Sequence, residues 1–257
     1  MSATPPSISI IIPAYNEEAR IGPSLERVLS YAAARWTAYE VVVVDDGSRD
    51  GTVAVVEALA ASCPALRVVR LPANAGKGAA VKAGVLASRG AHVLFSDADL
   101  STPITELARL EQALRAGADV AIGSRAVPGD VARAQPLLRR LQGRGFHWVV
   151  RALGFRAVAT VRDTQCGFKL FKGAVARALF RELTLTGFAF DVELLELACG
   201  RFRVAEVPVA WTHADGSKVR PGIDAARMLR DLVRIRWAWL RRGRPTLSLP
   251  AGEPGIG

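Results

Sequence analysis

The sequence predicts an α/β protein whose mainly parallel central sheet is flanked by helices. Three observations lead there. Ser7–Pro13, Glu40–Val44, Leu66–Leu71 and His92–Ser96 are short apolar runs rich in β-branched residues, and most are nearly continuous, as strands buried on both faces require. Between them, Ala19–Ala33, Thr52–Ala61 and Gly78–Ser88 carry apolar residues at helical spacings of three and four. A polar, acidic or glycine-rich segment follows every run, and in parallel sheets ligands bind at the carboxyl ends of strands.

Strand one leads into Pro13-Ala-Tyr-Asn-Glu17, and strand two into Asp45-Asp-Gly-Ser-Arg-Asp-Gly-Thr52. Asp45, at a strand end, suits a base N–H or a ribose hydroxyl, and Asp50 suits the cap of the next helix at Gly51 or Thr52. Strand three leads into Asn74-Ala-Gly-Lys-Gly78, where Lys77 between two glycines suits an anion cradled at a helix start. Strand four leads into Asp97-Ala-Asp99, two carboxylates that suit one hard cation, Mg²⁺ or Mn²⁺, bridged to a diphosphate. Chance supplies one such segment readily, but four in succession mark a site.

Composition narrows the class. Of 257 residues, 50% are apolar and 23% charged, which excludes a disordered chain. The net charge of +10 is uneven: residues 1–130 hold 12 Lys/Arg against 14 Asp/Glu, and residues 131–245 hold 22 against 9, so the second half should attract a polyanion. Cys63, Cys166 and Cys199 are too few and scattered for a disulfide framework or a zinc site, which points to a reduced, cytoplasmic compartment. The residues before Ser7 lack a basic stretch and an apolar core, so no signal peptide is expected, and no 18-residue window is free of charge, so no spanning helix is expected. Gly76-Lys-Gly78 is neither a dinucleotide fingerprint, since Val81 takes the third glycine's place, nor a P-loop. No Gly-x-Ser-x-Gly supports a serine hydrolase.

The motifs PAYNE, DDGSRDGT, NAGKG, DADLSTP and GSR (Gly123–Arg125) occur in the order found in inverting family 2 glycosyltransferases. In the second half, RDTQCGFKLF (Arg162–Phe171), FAFDVELL (Phe188–Leu195) and EVPVAWTHADGSKV (Glu206–Val219) resemble the dolichyl-phosphate β-glucosyltransferase branch. The resemblance spans roughly residues 7 to 240. It implies the GT-A fold, a Rossmann-like version of the predicted sheet, with a nucleotide-sugar donor, foremost UDP-glucose, and a polyprenyl-phosphate acceptor. By position, Pro13, Tyr15, Glu17 and Asp45 would line the donor's nucleoside pocket, and Asp46 beside them would also bind the donor. Lys77 and Lys218 would meet its phosphates, and Asp97 and Asp99 would hold the metal and the diphosphate. Arg125, with Arg139 or Arg140, would grip the acceptor phosphate. The assigned catalytic residues are thus Asp97, Asp99 and Arg125. Where some relatives carry a Gln as a further metal ligand, this chain has Ser101.

A phosphate monoester acceptor is already anionic, so it needs aiming rather than a general base, and the departing nucleoside diphosphate needs a cation. The sequence suits both demands and is poor in His: His92 sits in a strand, His147 in a basic aromatic segment and His213 in a loop. Asp191 and Glu193 either orient sugar hydroxyls or lie on a solvated helix face.

The expected organisation is a disordered N-terminus (1–6), a transferase domain (7–220) with a donor half (7–130) and an acceptor half (131–220), an amphipathic helix (221–242) and a flexible tail (243–257). The eukaryotic relatives' N-terminal membrane helix has no counterpart here, so peripheral contact with an anionic bilayer, at its cytoplasmic face, is expected from two basic segments. Arg139–Arg151 interleaves Arg with Phe146, Trp148, Val149 and Val150. In the C-terminal helix, Met228, Leu229, Leu232, Val233, Ile235, Trp239 and Leu240 share one side, while Arg227, Arg230, Arg234 and Arg241 cluster on another, which suits the headgroup layer or, alternatively, a helix packed on its own sheet with a solvated Arg face. The alternatives are a GDP-mannose-dependent mannosyltransferase or another nucleotide-sugar transferase, a sugar-nucleotide pyrophosphorylase, and a basic nucleic-acid-binding module. The pyrophosphorylase needs a glycine-rich basic loop after strand one, which Pro13–Glu17 lacks, and the nucleic-acid module leaves the acidic strand ends unexplained, so no nucleic acid partner is expected.

Overall fold

The computed structural model describes residues 6–126, 150–155, 160–212 and 221–247. Seven strands form one sheet: β1 (Ile8–Ala14), β2 (Tyr39–Asp45), β3 (Leu66–Arg70), β4 (His92–Ser96), β5 (Val120–Ser124), β6 (Phe168–Lys172) and β7 (Val204–Pro208), in the order β3-β2-β1-β4-β6-β5-β7. Pairing is parallel except at β6, which runs antiparallel to both β4 and β5. The four strands expected from the apolar runs form within a residue or two of their expected bounds. β5, β6 and β7 lie outside those four runs.

The interior strands are apolar throughout because both faces are covered. Ile10, Ile12, Val41 and Val43 face one core, with Leu25 and Val28 of α1 (Glu18–Arg35), Val56 of α2 (Thr52–Ala60) and Leu107, Leu110 and Leu114 of α4 (Leu107–Arg115). Ile11, Val42 and Val44 face the other, with Val81 and Val85 of α3 (Lys77–Ala87), Val175 and Leu179 of α5 (Gly173–Glu182) and Phe190 and Leu194 of α6 (Phe190–Ala198). The alternation is the two-residue strand period with neither side left to water. Every residue of α6 is buried, so the helix lies inside the protein rather than on it.

The last helix, α7 (Pro221–Arg242), packs on that second core through Leu232, Ile235 and Trp239, whose ring meets Phe155 edge-on at 6.0 Å. Arg244, just past its end, pairs with buried Glu196 of α6, and Arg201 donates to the Pro245 carbonyl at 2.8 Å. The apolar arc expected to act as one side is therefore divided. Met228, Leu232, Ile235 and Trp239 turn inward, while Leu229, Val233 and Leu240 join Trp237 outside. Five of the six exposed large apolar side chains among the described residues, Ile223, Leu229, Val233, Trp237 and Leu240, belong to this helix. No helix among the described residues is long and apolar enough to cross a membrane.

One buried carboxylate ties the amino-terminal edge of the sheet together. Glu40 accepts hydrogen bonds from the Ser9 hydroxyl and the Arg89 amide, each at 2.6 Å, and a bond from Arg67 at 3.2 Å. Burial pushes its carboxyl up, but these donors outweigh burial and hold it below its ordinary 4.5. A carboxyl depressed in the folded state contributes stability that is complete above its ordinary value and disappears as pH falls through the depressed one. Glu40→Gln is expected to cost about 1–2 kcal/mol at pH 7. Urea denaturation between pH 7 and pH 3 should show the variant losing less stability on acidification than the parent.

Candidate active site

Because β1 to β5 and β7 are mutually parallel, the segments after each of them leave the same edge, and the reversed β6 brings the segment before it, Arg162–Gly167, to that edge too. The first two loops are laced together. The Asn16 amide donates to Ser48 Oγ at 2.8 Å, the Arg49 amide to Asn16 Oδ1 at 2.8 Å and the Glu17 amide to Thr52 Oγ1 at 2.7 Å. Asp50 receives the Thr52 amide at 3.0 Å, the helix-start role expected of it. Asp45 receives the Ser48 amide at 3.2 Å, and half-buried Pro13, Tyr15 and Glu17 stand beside it at the end of β1. Glu17 is engaged with Arg20 at 2.6 Å.

Asp46 has a different task from the donor contact expected of it. Its carboxylate receives the amides of Ala75 and Gly76 at 2.7 and 2.9 Å, so it holds the Asn74–Gly78 loop in place. Burial lifts its carboxyl above the ordinary range, although the two amides draw it down. Gly76 sits at φ 101°, and a Cβ there would meet the Thr186 carbonyl at 2.6 Å. That close seat sets the start of α3 and hence Lys77.

The Lys77 ammonium crosses to Asp97 Oδ1 at 2.6 Å and lies 5.4 Å from the centre of the Phe95 ring. Burial lowers its pKa, but Asp97, Asp191 and Asp99 together raise it above the ordinary value, so it is a cation at neutral pH. Asp97 in turn lies against Gly167, where a Cβ would stand 2.0 Å from Oδ2; only a glycine leaves this carboxylate its place. Asp99 Oδ1 receives the Ser101 amide at 2.9 Å across Leu100, a bulky residue at φ 47°. Such a backbone costs on the order of 1–2 kcal/mol and persists only where its surroundings enforce it. Among the described residues no group of three or more His, Cys, Asp or Glu could hold a metal ion. A two-carboxylate set at a strand end nevertheless fits a hard cation that keeps water and takes phosphate oxygens as its remaining ligands.

On the other side of Asp97, Arg125 follows β5. Its guanidinium forks onto Asp163, with Nε to Oδ2 at 2.7 Å and Nη2 to Oδ1 at 2.8 Å, and its own amide also donates to Asp163 at 2.9 Å. The Trp211 ring lies 5.6 Å away. Burial works against the Arg125 charge, but Asp163, and Asp97 beyond it, more than restore it. The segment after β7 closes the edge, the Thr212 amide donating to the Ser101 carbonyl at 2.8 Å. Burial pushes the neighbouring Cys166 thiol up to about 12, which leaves it protonated and unsuited to nucleophilic work.

Asp191 and Glu193 are not on a solvated helix face, since α6 is buried all round. Asp191 is paired at 2.5 Å with Lys169, a fully buried lysine that also donates to the Cys166 carbonyl at 2.6 Å. Glu193 gathers the Thr184 hydroxyl at 2.8 Å and the Thr184 and Leu185 amides at 3.0 and 2.7 Å, a structural task. Arg139, Arg140, His147, Lys218 and His213 lie outside the described residues. Asp163, Gly167, Lys169 and Trp211 were not singled out from the sequence, though all stand in the motifs quoted from its second half, and a lysine inside the apolar run Phe168–Phe171 signals a buried counter-charge.

The model of the family described as glycosyl transferase family 2 matches residues 9–180. The chain is 41% identical over 249 residues to the dolichyl-phosphate beta-glucosyltransferase of Drosophila melanogaster, across 91% of this chain and 74% of that protein. To the Saccharomyces cerevisiae protein of the same name it is 36% identical, across 91% of this chain and 75% of the other. Among solved structures, glucosyl-3-phosphoglycerate synthase from Mycobacterium tuberculosis, in complex with Mn²⁺, UDP and glucosyl-3-phosphoglycerate, is similar in fold, with a TM-score of 0.67 at 21% identity over 94% of this chain and 81% of that one.

The Arg125–Asp163 fork is a test of the local architecture. Removing one partner of a largely buried pair strands the other, so Asp163→Ala is expected to destabilise the protein by about 3 kcal/mol. Denaturant titration should register that loss, and a midpoint unchanged from the parent would mean the fork contributes nothing to this edge.

Proposed function

The chain belongs to glycosyl transferase family 2 and is a glycosyltransferase; from that premise we propose that it moves glucose from UDP-glucose to a polyprenyl phosphate of the dolichyl kind, with inversion at the sugar's anomeric carbon. One observation carries the reading: the Asp97 carboxylate is bonded to the Lys77 ammonium at 2.6 Å, and its charge also supports that of Arg125. A carboxylate that would bind a cation thus shares its surroundings with a lysine suited to a diphosphate and a guanidinium suited to a monophosphate. The name shared by the curated relatives supplies the donor sugar and the lipid.

Asp97 and Asp99 would hold Mg²⁺ or Mn²⁺ with the donor diphosphate, and the ion would neutralise charge on the departing nucleoside diphosphate. Asp45, Pro13, Tyr15 and Glu17 line the edge where the nucleoside would rest, while Asp46 acts indirectly by setting the Lys77 loop. Arg125 keeps N–H donors beyond the two spent on Asp163, and with them would aim the acceptor phosphate, with Arg139, Arg140 and, on the donor side, Lys218 as proposed partners. The acceptor oxygen is anionic, so no side chain need remove a proton from it.

A prenyl tail requires the enzyme to meet a bilayer, and in this reading it would do so peripherally, at the cytoplasmic face. The outward half of α7 fits that need. Leu229, Val233, Trp237 and Leu240 form an apolar strip, and Arg227, Arg230, Arg234 and Arg241 stand beside it, with the Arg241 guanidinium stacked 3.6 Å from the centre of the Trp237 ring. An apolar strip edged with Arg matches acyl chains beneath anionic headgroups, each basic residue adding about 1 kcal/mol.

Incubating the protein with labelled UDP-glucose, polyprenyl phosphate and Mg²⁺ or Mn²⁺ should yield organic-extractable label; label arriving only from GDP-mannose would reassign the donor. Asp99→Ala is expected to reduce transfer at least about a hundredfold with the fold intact by circular dichroism, and near-normal transfer would remove the metal role. Replacing Arg227, Arg230 and Arg234 with Glu should lower co-sedimentation with anionic liposomes. Unchanged binding would leave α7 as a helix that serves only the core.

A further inference from the structure

The carboxylate assigned to the divalent cation already holds a cation of the protein's own. Asp97 Oδ1 bonds the Lys77 ammonium at 2.6 Å, and this lysine is held to its place by three separate constraints. Asp46 fixes the loop before it through two amides, Gly76 seats that loop on the Thr186 carbonyl, and the Phe95 ring lies beside the ammonium. Buried Asp191 adds its charge to the support of the ammonium and is itself held at 2.5 Å by buried Lys169, which lies 5.6 Å from the centre of the same Phe95 ring. Charges therefore alternate through this part of the site: Asp97, Lys77, Asp191, Lys169.

A divalent ion and an ammonium cannot share one carboxylate edge without strong repulsion unless further negative charge arrives. A nucleoside diphosphate brings that charge and offers Lys77 a new partner. Resting on the donor and metal assignment above, we infer that Lys77 is a tethered counterion: it occupies Asp97 while the donor is absent and passes to the donor diphosphate when the divalent ion takes Asp97. Asp191 retains the ammonium in the site during the exchange, and Lys169 keeps Asp191 in position. Lys77 thereby couples the two ligands, so that the ion binds poorly alone and well with the nucleotide. By linkage the ion tightens the nucleotide by the same factor.

The test needs no turnover. Mn²⁺ binding is measured by electron paramagnetic resonance or calorimetry, with and without UDP, for the parent, Lys77→Met, Lys77→Gln and Lys77→Arg, each checked for folding by its melting curve. In Lys77→Met and Lys77→Gln, Mn²⁺ alone should bind about tenfold tighter than in the parent, and the tightening that UDP confers should shrink by a similar factor. Lys77→Arg, which keeps the charge, should stay near the parent. Mn²⁺ affinity without UDP that is unchanged or weaker in both neutral variants overturns the exchange, even if the parent transfers glucose normally. A parent that binds neither UDP nor Mn²⁺ defeats the donor assignment itself, and the exchange with it.

Discussion

Parallel strands covered on both faces leave a chain very few places for polar chemistry. Inside the sheet every backbone group is answered by a neighbouring strand, and Ile10 to Ile12 and Val41 to Val44 present nothing but apolar surface to either side. Functional groups must therefore collect where the strands end. The antiparallel β6 obeys the same constraint from the opposite direction, because its amino end meets the carboxyl ends of the others. That reversal places Gly167 beneath Asp97 and Asp163 beside Arg125, so that the second half of the chain completes an edge begun by the first.

Charge buried inside the protein is tolerated only where it is answered. Lys169 has Asp191, Arg125 has Asp163, Glu196 has Arg244, and Glu193 is answered by amides and a hydroxyl. Pairs of this kind add little net stability over apolar packing, since desolvation consumes most of their attraction. Their value here is geometric. The ion pairs each fix a rotamer that a flexible lysine or arginine would not otherwise keep, and the Arg125–Asp163 pair does so for the guanidinium that would aim the acceptor phosphate.

The strands and their loops were legible because they obey local rules: continuous apolar runs, then turn chemistry at each end. Asp45, Lys77, Asp97 and Asp99 could be placed at one edge from spacing alone. What resisted reading depends on distant partners. Nothing local distinguishes Asp45, at the strand end, from Asp46, which turns to a loop 30 residues away. Asp191 and Glu193 read as candidates for a wet helix face because their burial comes from a whole layer packed over α6. The apolar residues of α7 part between the interior and solvent, a division that depends on where Phe155 and the second core lie. Gly167 carries no side chain to announce it, and its significance exists only as the room it leaves for Asp97.

The pairing of Arg244 with Glu196 has a bearing on how the molecule is made. A nascent chain leaving the ribosome presents α6, with its acidic residue destined for the interior, 48 residues before the guanidinium that neutralises it. Until that stretch is synthesised, the layer containing α6 lacks both its counter-charge and the Leu232, Ile235 and Trp239 lid. Translation at 5–20 residues per second makes that interval on the order of a few seconds, during which the second core stands open while the first, which draws on nothing beyond Val209, becomes able to close.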